Sequence, residues 1–200
     1  MRRARGRSKV PPVKPSRSVS AREVRALAHP LRLQMLECLL NGGPATASML
    51  ARELGESSGA TSYHLRALAA AGLIVEDLER RRGRERWWQH AKKFRLISSA
   101  PAEDAEYTAA VAQLESVMMA RDDEGLRRYL HTRGEFTPEW QESAFIGGWG
   151  VYATREDVDE LSKLVMEWLR DHRVVPKDRP EGATLIHLTY RAIPQRPPGE

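Results

Sequence analysis

The chain has 200 residues and one cysteine, Cys38. A lone thiol cannot close an intrachain disulfide, so crosslinking as the staple of a small secreted domain is excluded. No apolar run approaches the ~20 residues that span a bilayer. The opening MRRARGRSKV also lacks the apolar segment of a secretory signal. These absences predict a soluble cytoplasmic chain with no membrane partner. Catalytic signatures are missing too: no glycine-rich phosphate loop follows a strand, and neither Gly-x-Ser-x-Gly nor His-Glu-x-x-His occurs. We therefore expect neither enzymatic activity nor a cofactor. Metal ligands are sparse. No two of the six histidines (His29, His64, His90, His131, His172 and His187) lie four residues apart, so no helix offers an adjacent pair. No metal site is expected.

What is present is basic charge and enough apolar residues for a core. The net charge is +5, with 41% hydrophobic and 30% charged residues. The balance favours a polyanionic partner, and the clustering of the charge says more than its total. Residues 1–19 hold seven Arg or Lys and no acid. Such a segment cannot bury enough surface to fold, and reads as a disordered basic arm.

The chain is organised around residues 46–91. Thr46 is an N-cap, and Met49, Leu50 and Leu54 give the following residues an apolar face ending at Gly55. Ser57 and Ser58 offer a second N-cap for a helix over about 59–71, stopped by Gly72. Two short helices joined by a glycine turn imply helix-turn-helix, whose second helix enters the DNA major groove. Projected at 100° per residue, that helix turns Thr61, Ser62, Leu65 and Leu68 to one side and Ala60, Tyr63, His64, Arg66, Ala67 and Ala70 to the other. Small residues for close approach and a few long donors are what groove reading requires. Two β-type runs follow, 73–77 and 85–91. Between and beside them Arg80, Arg81, Arg82, Arg84 and Arg86 crowd into seven residues. A hairpin tip so charged suits neighbouring phosphates, the wing of a winged helix. The expected DNA contacts are Thr46, Ser57, Ser58, Ala60, Thr61, Ser62, Tyr63, His64, Arg66, Arg81, Arg82 and Arg84, with the wing at 78–86. A winged helix can also serve as a protein-interaction or dimerisation module without binding DNA. Five arginines in the wing favour DNA.

Residues 26–40, ALAHPLRLQMLECLL, and 61–75, TSYHLRALAAAGLIV, resemble the two signatures of the ArsR-type (arsenical-resistance-repressor) winged-helix regulators. The likeness covers roughly residues 20–98. It implies a homodimeric bacterial transcription regulator, commonly a repressor, without naming an effector. The Cys-x-Cys of thiolate-sensing relatives is missing around 46–54.

Elsewhere Ser20-Ala-Arg-Glu23 forms a capping box opening a short helix, and Pro30 starts another that runs to Gly42-Gly43-Pro44. Past Pro101 a helix runs from Glu103 to about Ala120, where Asp122 and Asp123 interrupt it. Residues 143–152 read as a glycine-weakened strand. Thr154 opens a helix with Val158, Leu161, Val165, Trp168 and Leu169 inward, and 184–193 alternates like a half-buried strand. The fold class is α+β: an arm at 1–19, a winged helix at 20–98, a helical/βαβ dimerisation or ligand domain at 103–194, and a loose tail at 195–200. Trp140, Phe145, Trp149, Tyr152 and Trp168 can line a pocket for an apolar small molecule, or fill a core or dimer seam.

Overall fold

The helix boundaries follow from backbone groups that need partners. The computed structural model describes residues 19–80, 85–91, 104–172 and 179–195; the expected basic arm and the end of the tail lie outside them. Helix α1 (Ala21–Leu27) starts at the capping box: Ser20 accepts from the Glu23 amide, and the Glu23 carboxylate accepts from the Ser20 amide at 2.7 Å. Helix α2 (Pro30–Gly42) has Pro30 in its first turn, where the missing N–H costs no bond. Helix α3 (Ala47–Leu54) is capped by Thr46 and ends on Gly55 in the left-handed region, φ 69°. A Cβ there would be strained, so glycine closes the turn before the next helix. Helix α4 (Ser58–Ala70) takes its cap from Ser57, whose hydroxyl accepts from the Ala60 amide at 3.2 Å.

A three-stranded antiparallel sheet closes this unit. Strands β2 (Ile74–Glu76) and β3 (Trp87–His90) pair with Val75 opposite Gln89. The two-residue β1 (Ala45–Thr46) adds to the other edge of β3, with Ala45 opposite Trp88. The sheet order is β1-β3-β2. The core beneath is formed by Val24, Met35, Leu36, Leu39, Leu50, Leu65, Leu68 and Ile74, all fully buried.

Helix α5 (Ala105–Thr132) runs 28 residues without a break. The interruption expected at Asp122 and Asp123 does not occur. Aspartate only mildly disfavours a helix interior, and Asp122 is ion-paired with Arg121 and Arg191 and hydrogen-bonded to His187. The first turns of α5 belong to the winged-helix core: Tyr107, Ala110 and Leu114 are buried with Val24 and Leu27. Ion pairs from Arg25 to Glu106 and from Arg121 to Glu37 fasten it to α1 and α2.

After a 3₁₀ turn (Arg133–Glu135) come α6 (Pro138–Ser143) and α7 (Arg155–His172). The α+β class stands, with one correction: the C-terminal region is helical, and the expected βαβ unit does not form. Residues 144–154 and 183–194 are in no strand. The alternation of 184–193 supplies a strand's side-chain pattern, but a strand exists only where a neighbour takes up its hydrogen bonds. The α7 stripe is a second correction. None of its residues is buried, and Leu161 and Trp168 remain 46% and 50% exposed.

Candidate nucleic-acid interface

The exposed face of α4 is the centre of the interface. Leu65 and Leu68 bury their side of the helix and so hold the opposite side outward. Tyr63 is 63% exposed and Arg66 is exposed beside it. The Arg66 Nε donates to the Ser62 carbonyl at 3.1 Å, fixing the guanidinium plane and leaving its other N–H groups unbonded among the described residues. At the start of the helix Ser57 and Ser58 are exposed, and Ala60 and Ser62 are half-buried.

Three elements meet at one polar depression of about 390 Å³. Thr46, Ala47 and Ser48 contribute the N-terminal end of α3, Ser62 and Arg66 come from α4, and Glu85, Arg86 and Trp88 come from the second arm of the hairpin. Two arginines and the positive end of a helix macrodipole outnumber the one carboxylate there, Glu85, and give the depression a net setting that favours an anion. Arg86 was read in the sequence only as part of the wing's charge. Its place in this depression follows from the β3 register.

The base of the wing is tied by a residue that sequence reasoning passed over. Asp77 is nearly buried, and its Oδ1 accepts from the Glu79 and Arg80 amides at 3.2 and 3.3 Å. The Arg80 guanidinium reaches Asp77 at 3.4 Å and lies over the Trp87 ring at 5.8 Å. An Asx turn at a strand end was the available signal. Of the wing contacts, Arg81, Arg82 and Arg84 lie outside the described residues.

Two expected contacts are corrected. Thr61 has no exposed surface, and its hydroxyl donates to the Ser57 carbonyl at 2.9 Å. The hydroxyl is thus satisfied inside the core. Thr46 is likewise buried, its oxygen accepting from the Met49 amide, so its hydroxyl caps α3 and the residue only borders the depression. His64 points to a partner that the sequence did not indicate. Its ring lies 4.5 Å from that of His29, with Tyr63 edge-on at 5.2 Å. The Nδ1 atoms of both histidines are buried without hydrogen-bond partners among the described residues. Burial lowers the His64 pKa, reinforced by His29 and Arg32 and opposed by Glu56. Burial and Arg32 lower that of His29.

Among the described residues, the aromatics proposed for a pocket do not come together as one cluster. Phe145 and Trp149 stack at 5.1 Å, Trp168 stacks on His172 at 4.2 Å, and Tyr152 stands fully in solvent. Trp140 is half-buried on α6. Among the described residues no cluster of three or more His, Cys, Asp or Glu is arranged to hold a metal ion. No described helix is long and apolar enough to cross a membrane.

Residues 27–77 match the model of a helix-turn-helix domain family, a span from the end of α1 to the base of the wing. No curated protein matches the chain. Among solved structures, reduced HlyU from Vibrio cholerae N16961 is 23% identical, covering 48% of this chain and 84% of its own, with a TM-score of 0.31. A possible transcriptional regulatory protein (fragment 1–100) from Mycobacterium bovis is 26% identical, covering 52% of this chain and 89% of its own, with a TM-score of 0.33. Those scores are too low to say more of this chain. Residues 27–77 of the chain thus carry a helix-turn-helix domain, the kind of module that binds DNA.

Proposed function

We propose that this protein is a sequence-specific transcription regulator of the ArsR-like kind, working in the cytoplasm as a homodimer on duplex DNA. Helix α4 lies in the major groove with Tyr63 and Arg66 toward base edges, and the basic wing follows the adjacent phosphates. Its role is repression, which occupancy of a promoter achieves without further contacts. The observation that carries this reading is the convergence of Arg66, Arg86 and the α3 N-terminus on one open polar depression beside the exposed face of α4. A protein-docking wing has no use for that density of guanidinium groups.

Two heads related by a two-fold axis require half-sites about one helical turn, ~34–36 Å, apart. The test is capture of genomic fragments by the purified protein, followed by footprinting of the enriched sequences. The expected result is a near-palindromic protected site with two half-sites. Retention of no sequence above a random duplex at moderate salt would refute the proposal.

A further inference from the structure

The C-terminal region holds two segments with the side-chain pattern of strands and no backbone partners. Among the described residues, no amide or carbonyl of 145–153 or 184–193 takes part in a backbone–backbone hydrogen bond. Open ladders of this length are templates for strand addition. The glycine-rich segment has a strand's geometry in one informative respect. The ring tips of Phe145 and Trp149 lean together over Gly147, and a Cβ there would lie 3.1 and 3.0 Å from them. Alternate residues 145, 147 and 149 share one face, as in an extended chain. The other segment is held in place. His187 and Arg191 bond to Asp122 of α5 at 3.1 and 2.8 Å, and Tyr190 meets Ser162 of α7 at 3.3 Å.

Both segments leave large apolar side chains in water. Phe145, Trp149 and Tyr152 are 70%, 73% and 110% exposed, and Leu185 and Ile193 are 75% and 68% exposed. An aromatic side chain buries about 150–250 Å², so the three aromatics alone offer about 400–600 Å². A standard interface takes about 800 Å² from each partner, and the aliphatic residues with the open stripe of α7 supply the remainder. Exposed apolar area of this extent is at the upper end of what monomers show and commonly marks an interaction site.

We infer that segments 145–153 and 184–193 are the strands of a sheet completed by a second copy of this chain, and that this sheet is the dimer seam. A second copy fits because each chain brings two open segments of nearly equal length. A two-fold axis then pairs each segment with one from the other chain, reciprocally, so that every segment gains a neighbour on one edge. The inference deepens the dimeric reading above by naming its seam, and does not depend on DNA binding.

Hydrogen exchange of the full chain, read by mass spectrometry across a dilution series, tests it. Amides of 145–153 and 184–193 should be protected where light scattering finds a dimer and exchange freely where it finds a monomer. Free exchange in the dimer would overturn the inference. So would protection in the monomer, because the segments would then pair within one chain. Val151→Pro and Leu188→Pro each remove a ladder donor and should shift the equilibrium to monomer, while the far-ultraviolet helical signal is retained. A dimer unaffected by both would place the seam elsewhere. In the monomeric variants, operator affinity should fall by about 10²–10⁴-fold through lost avidity. If the wild-type chain forms the protected dimer but binds no DNA, the functional reading fails and the seam stands.

Discussion

Replacing Arg66 is the sharpest probe of the proposed interface. The guanidinium carries five N–H donors, and the bond from Nε to the Ser62 carbonyl at 3.1 Å uses one. The rest form a pre-oriented fork on the outer face of α4, suited to paired acceptors on a guanine edge. A good bidentate base contact is worth ~1–3 kcal/mol of discrimination. In the proposed dimer the side chain is presented twice at well-separated places, so the losses add. Arg66→Ala should therefore cost about 2–6 kcal/mol on the operator, or roughly 30-fold to 10⁴-fold in affinity. It should cost much less on a scrambled duplex.

Arg66→Lys separates readout from charge. Lysine keeps the positive charge but loses the planar fork, so operator preference should fall while non-specific binding stays near wild type. Fluorescence anisotropy with operator and scrambled duplexes, each over a salt series, resolves the two quantities. If Arg66 touched only phosphate, the lysine variant would behave like wild type. The alanine variant would then lower the salt slope by about 1.8 for the dimer, at ~0.9 per phosphate, on both duplexes alike. That pattern would refute the assignment of Arg66 to base recognition.

Other outcomes follow from single side chains. Asp77→Ala leaves the Glu79 and Arg80 amides, at the exposed start of the wing, without their acceptor. It should cost about 0.5–1.5 kcal/mol in urea unfolding, the net worth of a bond whose donors water can reach, and Asp77→Asn, which keeps Oδ1 as an acceptor, should recover part of it. His29 and His64 have folded pKa values below their ordinary 6.5, so the unfolded chain binds more protons. Their contribution to stability is fully present above pH 6.5 and is lost as pH falls toward the depressed values; urea midpoints from pH 7.5 to 5 should show this, and a double substitution to Gln should flatten it. Burial, with the charge and hydrogen bond of Glu53, pushes the Cys38 thiol up to about 12. Ellman's reagent should label it slowly at pH 8 in the native protein and promptly in urea, and rapid native labelling would contradict the packing of α2.

The winged helix was legible wherever a local backbone demand has one chemical answer. Ser20 with Glu23, Thr46, Gly55 and Ser57 each satisfy orphan groups at a helix end, and each marks its boundary within a residue or so. Strand β1 was not legible because two residues carry no periodicity; only pairing with Trp87 and Trp88 makes Ala45–Thr46 a strand. Thr61 shows a different failure. The helical projection put it on the core side, while its hydroxyl made it look like a DNA donor, and the Ser57 carbonyl settles the matter within the helix. The contact between His29 and His64 joins residues 35 positions apart, and no local rule reports it. In the C-terminal region the alternation of 184–193 records which side chains prefer burial, not which chain supplies the neighbouring strand.

How the two halves of the chain are joined bears on how the two heads are spaced. Helix α5 is about 40 Å long at 1.5 Å per residue. Its N-terminal turns are built into the winged-helix core through Tyr107, Ala110 and Leu114. Further along, Arg121 pairs with Glu37 of α2 and with Asp122, and Asp122 also accepts from His187 and Arg191 of the C-terminal segment. Burial pushes the Asp122 carboxyl up, but Arg121, His187 and Arg191 outweigh it and hold it below the ordinary carboxylate range. The charge therefore persists through the physiological range, and the line from α2 through α5 to residues 187–191 is held throughout. A seam made by that C-terminal segment would consequently be fixed to each reading head by a continuous helix with ion pairs at mid-length, not by a flexible linker. Head spacing in such a dimer is a property of α5, and a ligand or substitution that shifted the segment against Asp122 would act on the spacing before it acted on α4 itself.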